Sequence, residues 1–72
     1  METKELAPVN IMRVRNPRRY LELIQTTRRK YSIPSQRFMV INSELARLVH
    51  SGELSSDDRE IVLGFYRELE NR

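Results

Sequence analysis

Apolar residues recur along this chain at spacings that predict three helices, punctuated by proline, serine and glycine. The clearest set is Tyr20, Leu23, Ile24, Thr27 and Tyr31, whose three- and four-residue steps bring them onto one side of a helix. Asn16-Pro17 opens this first helix, since asparagine caps free amides and proline loses no hydrogen bond in a first turn. Arg18, Arg19, Arg29 and Lys30 project from the opposite side, which makes the helix amphipathic with a cationic back. It stops at Ser32-Ile33-Pro34-Ser35, because the residue before a proline avoids helical angles.

The last helix is expected to start at Ser55, where Asp58 three residues on makes a capping box with aspartate in place of the usual glutamate. Ile61, Val62, Phe65, Tyr66 and Leu69 form its apolar face, and Arg59, Glu60, Arg67, Glu68 and Glu70 cover the rest. Two residues break that pattern. Leu63 points away from the stripe, and Gly64 in a helix interior costs about 1 kcal/mol relative to alanine. Together they point to close backbone contact, with the core or with a partner. Between these helices a short one is capped by Asn42 or Ser43, carries Leu45, Leu48 and Val49 as its stripe, and ends at Ser51-Gly52 with glycine just past the last turn.

Two runs leave strand and helix open. Val9 to Arg15 is β-branched with no helix start and reads as a short strand. Phe38-Met39-Val40-Ile41 is a compact apolar run that either pairs with it or begins the next helix. Residues 1–8 are polar up to Pro8, show no period, and read as a flexible tail. The expected fold is therefore one mainly α domain over residues 9–72, a small three-helix unit that can accommodate a two-stranded sheet of residues 9–14 and 38–41.

Length and composition narrow the function. Seventy-two residues build one core, and a domain of this size buries only about 60% of the surface its unfolded chain exposes. The chain has no cysteine and one histidine, so neither disulfides nor a zinc ligand set is available, and stability must come from packing or from a partner. Two glycines cannot supply a phosphate-binding or nucleophile-elbow loop. His50 has no nucleophile or second base at a useful spacing and is expected on the surface or near a helix end. Asp57, Asp58 and Glu60 lack a calcium-loop spacing and are accounted for by helix capping. Neither enzyme activity nor a cofactor or metal is expected. No apolar run near the start is long enough for a signal segment or a membrane span, so a cytoplasmic location away from membranes is expected.

Charge carries the one functional signal. The net value of +3 conceals a division: residues 1–37 hold nine basic against three acidic groups, +6, and residues 38–72 hold four against seven, −3. Eleven of the thirteen cations are arginine, whose planar guanidinium forks onto carboxylates and phosphates in a way lysine does not. Arg13, Arg15, Arg18, Arg19, Arg28, Arg29, Lys30 and Arg37 crowd into a short stretch, and a compact fold must bring several onto a common surface. Such a surface suits a small adaptor or regulator that docks onto a larger, partly acidic protein. Compact, basic, cysteine-free proteins of bacteria and phages commonly modulate transcription, which makes RNA polymerase the expected kind of target. The alternative is a DNA-binding regulator. Asn42-Ser43-Glu44-Leu45-Ala46-Arg47-Leu48-Val49-His50-Ser51-Gly52 resembles the recognition helix of phage-repressor-like helix-turn-helix proteins, a resemblance that implies nucleic-acid binding. It departs from them ahead of that segment, where Gln36 to Ile41 lacks the alanine and glycine of the preceding helix and turn.

Overall fold

The computed structural model describes residues 11–71, whose regular elements are three helices: α1 (Pro17–Lys30), α2 (Pro34–Ser51) and α3 (Ser56–Glu70). The described residues contain no strand. Phe38–Ile41 belongs to α2, so of the two readings left open for it the helix holds and the two-stranded sheet of residues 9–14 and 38–41 does not form. The reason is register. A helix running through this segment stacks Ile41, Leu45 and Leu48 on a single buried side, whereas a strand would direct Ile41 to the same face as Met39, which stays in solvent. Of the other expected strand, Val9 and Asn10 lie outside the described residues, as does the expected tail of residues 1–8. Residues 12–16 form turns and bends, and the Val14 amide donates to the Ile11 carbonyl at 3.3 Å.

The prolines start helices here. Pro34 is the first residue of α2 and Ile33 before it is extended, as the pre-proline restriction demands, so the same feature that ends one helix opens the next after only three residues. Pro17 does likewise for α1. Asn16 holds the expected position for another reason: its side chain makes no capping bond, its backbone is left-handed (φ 57°, ψ 58°), and its carbonyl accepts from the Arg19 amide at 3.1 Å. Asparagine is among the few residues that adopt this conformation readily.

At the end of α2 the chain closes in a Schellman turn. Glu53 N donates to Leu48 O at 2.9 Å and Gly52 N to Val49 O at 3.1 Å, with Gly52 at φ 86°, where a side chain would be strained. The turn delivers Leu54 into the core and Ser55 to the head of α3, where the Ser55 hydroxyl accepts from the Asp58 amide at 3.1 Å.

α2 packs against both of its neighbours. Tyr20 and Ile24 from α1, Ile41, Leu45 and Leu48 from α2, and Val62, Leu63 and Tyr66 from α3 make one core, closed at its ends by Ile11, Val14 and Leu54. Leu63 is thus an interior residue, 5% exposed. The inward face of α3 is rotated from the expected stripe, leaving Ile61, Phe65 and Leu69 half-buried at the rim. Gly64 is exposed, and a Cβ built on it meets nothing within 4 Å, so no close backbone approach accounts for it. Gly64→Ala is accordingly expected to stabilise the fold by about 1 kcal/mol, read as a rise of roughly 4–8 °C in Tm. A lower Tm would mean that the backbone at this position is contacted after all.

Among the described residues no helix is long and apolar enough to cross a membrane, and no group of three or more histidine or acidic side chains is placed to hold a metal ion.

Candidate docking surface

The turn before α1 sets the first two cations. Ile11 and Val14 are buried, and this spacing leaves Met12, Arg13 and Arg15 in solvent. The Arg15 amide donates to Asp58 Oδ2 at 3.5 Å, which ties the turn to the head of α3. Along α1, Tyr20, Ile24 and Thr27 face inward. Arg18, Glu22, Gln25 and Arg29, spread over only about 60° of the helix circumference, form its outermost ridge. Arg18 and Arg29 stand about 16 Å apart along that ridge.

The eight cations do not form one continuous patch. Arg13, Arg15, Arg18, Arg29 and Lys30 are exposed, and among the described residues the charged group of none of them has a carboxylate within 4.0 Å. The other three turn to the flanks and engage acids of the later chain. Arg19 Nη1 lies 3.3 Å from Glu53 Oε1, with its guanidinium 6.0 Å from the centre of the Tyr20 ring. Arg28 Nε lies 3.7 Å from Glu70 Oε2. Arg37 is structural: its Nε donates to the Tyr31 carbonyl at 2.7 Å and its Nη1 to both Glu70 oxygens at 3.0 and 3.1 Å, with only 18% of its side chain exposed. Two first-turn arginines oppose the dipole of α1. Glu53 compensates Arg19, whereas Arg18 has no such neighbour among the described residues.

Arg37, Glu70 and Tyr66 join the end of α1, the start of α2 and the end of α3. Burial works to raise the Glu70 carboxyl, but the Tyr66 hydroxyl, the Arg37 guanidinium and the Arg28 charge outweigh it and hold the group below the usual carboxylate range. Tyr66 is buried, and its hydroxyl lies beside the Glu70 carboxylate without forming a well-aligned hydrogen bond to it or to any other described group. Burial first, and then the adjacent carboxylate, push the hydroxyl up to about 12 from an ordinary 10.0. The folded state therefore holds this proton more tightly than the unfolded chain, and the associated stability is present below pH 10 and lost between pH 10 and 12. Tyr66→Phe is expected to abolish that alkaline loss and to gain about 1 kcal/mol at neutral pH, because a buried polar atom without a partner is removed. Urea melts at pH 7 and pH 11 test both effects, and an unchanged alkaline limb would reassign it.

The three described arginines of the later chain also have contacts within the fold. Arg47 pairs with Glu44, whose carboxyl that hydrogen bond holds below its ordinary value against an opposing effect of burial. Arg59 pairs with Glu60 and donates to Asn42 Oδ1 at 2.9 Å, and the Arg67 guanidinium lies 5.7 Å from the centre of the Phe38 ring. Among the described residues, the exposed cations without a carboxylate within 4.0 Å are therefore Arg67 and the five between Arg13 and Lys30.

No family model, curated protein or solved structure matches this chain. The chemistry of the surface alone carries the functional reading.

The segment compared above with a recognition helix is the second half of the continuous α2, with no turn ahead of it. Of the two helices that follow a short connection, α2 begins eight residues ahead of that segment, at Pro34, and α3 opens with Asp57 and Asp58, which repel phosphate at the end where a recognition helix reads base edges. All five aromatic side chains are buried or half-buried, so none offers a stacking platform for an unpaired base. His50 lies exposed in the last turn of α2, where a cation suits the helix dipole.

One feature of this surface had no signature in composition or charge. Met12 stands 62% exposed beside Arg13. It lines an open depression of about 440 Å³ with Asn16, Pro17, Arg18, Arg19 and Leu21. The only trace of it in the sequence is the alternation that buries Ile11 and Val14 and leaves the residue after Ile11 outside.

Proposed function

We propose that this chain is a non-catalytic adaptor or regulator that captures a larger protein by an acidic part of its surface, through Arg13, Arg15, Arg18, Arg29 and Lys30. One observation carries the reading. The charged groups of these five exposed side chains come from one short segment and have no carboxylate within 4.0 Å among the described residues, whereas Arg19, Arg28 and Arg37 are each engaged by Glu53 or Glu70. A guanidinium with no carboxylate beside it among the described residues can fork onto carboxylates of another protein. The acids at the head of α3 and the covered aromatics favour a protein over a nucleic acid. A large acidic assembly of the transcription machinery, RNA polymerase first, is the partner class to test.

The test is affinity capture from a bacterial extract, identification of the captured protein by mass, and titration of the purified pair. Like charges set against each other at an interface cost several kcal/mol. Arg13→Glu, Arg18→Glu and Arg29→Glu combined are therefore expected to weaken the titrated affinity by on the order of 100-fold or more, with helicity by circular dichroism unchanged. Unaltered affinity would reject the basic surface as the contact. Sequence-selective, steeply salt-dependent binding of duplex DNA in a parallel titration would replace this reading with a DNA reader.

A further inference from the structure

The depression around Met12 gives the proposed surface an apolar seat inside a cationic rim. We infer that the partner presents an acidic segment with one protruding aliphatic or aromatic side chain, and that this side chain enters the depression between Met12, Pro17 and Leu21 while neighbouring carboxylates meet Arg18 and Arg13. The inference rests on the docking role proposed above and names the chemistry of what docks.

Three observations support it. Met12 is 62% exposed although Ile11 and Val14 on either side of its turn are buried, so a large apolar side chain is held in solvent by a well-anchored backbone. The depression is about 440 Å³ and open, and its lining combines apolar carbons of Met12, Pro17 and Leu21 with the guanidinium-bearing Arg18 and Arg19. Of the two arginines in its lining, Arg19 is engaged by Glu53 at 3.3 Å, whereas the Arg18 guanidinium, like that of Arg13 beside Met12, has no carboxylate within 4.0 Å among the described residues, so these two are the groups an incoming carboxylate would meet. An apolar centre surrounded by charged groups is the usual anatomy of a protein contact, in which the central anchor supplies affinity and the rim supplies orientation and rate. Methionine suits the centre, because its unbranched, polarizable thioether adapts to the shape of the inserted group. A phosphate backbone would use the rim and leave the apolar seat empty.

Selection of a displayed library of random short peptides against the whole chain tests this directly. Enriched sequences are expected to combine carboxylates with a leucine, phenylalanine or similar anchor. Their affinity is expected to fall at least tenfold with Met12→Ser, at least tenfold with Arg18→Gln, and at least tenfold when the peptide's own anchor becomes serine. Both protein variants alter exposed side chains and are expected to retain wild-type helicity and Tm. Enriched peptides that are acidic without an anchor, and that bind Met12→Ser as they bind the wild type, would overturn the seat and leave the basic surface standing. Absence of any enrichment would also overturn the seat. Peptides indifferent to the Arg13, Arg18 and Arg29 reversals as well would take down both readings.

Discussion

Ile41→Ala is expected to destabilise the chain by about 2–5 kcal/mol, the range for truncating a large aliphatic side chain in a packed core. Ile41 is 0% exposed and stands on α2, the helix that contacts both of the others, so a cavity opened there loosens the whole core. Domains of this length hold only about 4–11 kcal/mol of stability in total, and the variant should lose roughly 10–30 °C in Tm on the usual scale for small domains. A neighbouring substitution sharpens the test. Met39→Ala, at a position 65% exposed, is expected to stay within about 0.5 kcal/mol of the wild type. That contrast belongs to a helix, since residues two apart in a strand share a face and would respond alike. Urea denaturation of the two variants measures it, and equal losses would contradict the helical register of residues 34–51.

Arg37→Met should cost about 1.5–3 kcal/mol at neutral pH, the range for a hydrogen bond made by a charged group. Methionine preserves the aliphatic stem, so the loss reports on the guanidinium. Without it, the Tyr31 carbonyl and both Glu70 oxygens lose their donor, and only Arg28 at 3.7 Å remains beside a carboxylate that is 19% exposed. The pH dependence identifies the cause. The Glu70 carboxyl is held below its ordinary 4.5 in the folded state, so the stability it contributes is present above that value and is lost as pH falls through the folded one. Stability of the wild type should therefore decline as pH drops from about 5 toward 3, and the Arg37→Met variant should decline less over the same interval. Midpoints of urea unfolding at pH 7 and pH 3 compare them. If the penalty of the substitution is the same at both, packing of the stem and not the ion pair would be responsible.

Local signals in the sequence located most of the helix ends. Asn16-Pro17, Ser55 with Asp58, and Gly52 mark where α1 and α3 begin and α2 stops, because caps, first-turn prolines and left-handed glycines act within a single turn of backbone. The apolar stripe Tyr20, Ile24 and Thr27 was likewise legible, since a side chain's position around a helix follows from spacing alone. What spacing could not settle was a run that is apolar at every position. Phe38–Ile41 satisfies a strand and a helix equally, and it became helix because α2, by continuing back to Pro34, buries Ile41 with Leu45 and Leu48 between two other helices. Leu63 lay off the most regular stripe of α3 and entered the core because helix packing chose which of its sides turned inward.

The basic surface divides in the same way. The sequence by itself determined that eight cations are concentrated between residues 13 and 37, that the acids lie mostly after them, and that the chain offers no residues for disulfides or a zinc site. Only the tertiary structure decided which of those cations remain available. Arg19, Arg28 and Arg37 meet Glu53 and Glu70 across more than thirty residues of sequence, while Arg13, Arg15, Arg18, Arg29 and Lys30 stay in solvent, and Met12 joins them at the mouth of a depression. Helix formation is governed by neighbours a turn away, whereas pairing of distant charges depends on which helix faces meet, and only the packing of the core settles that.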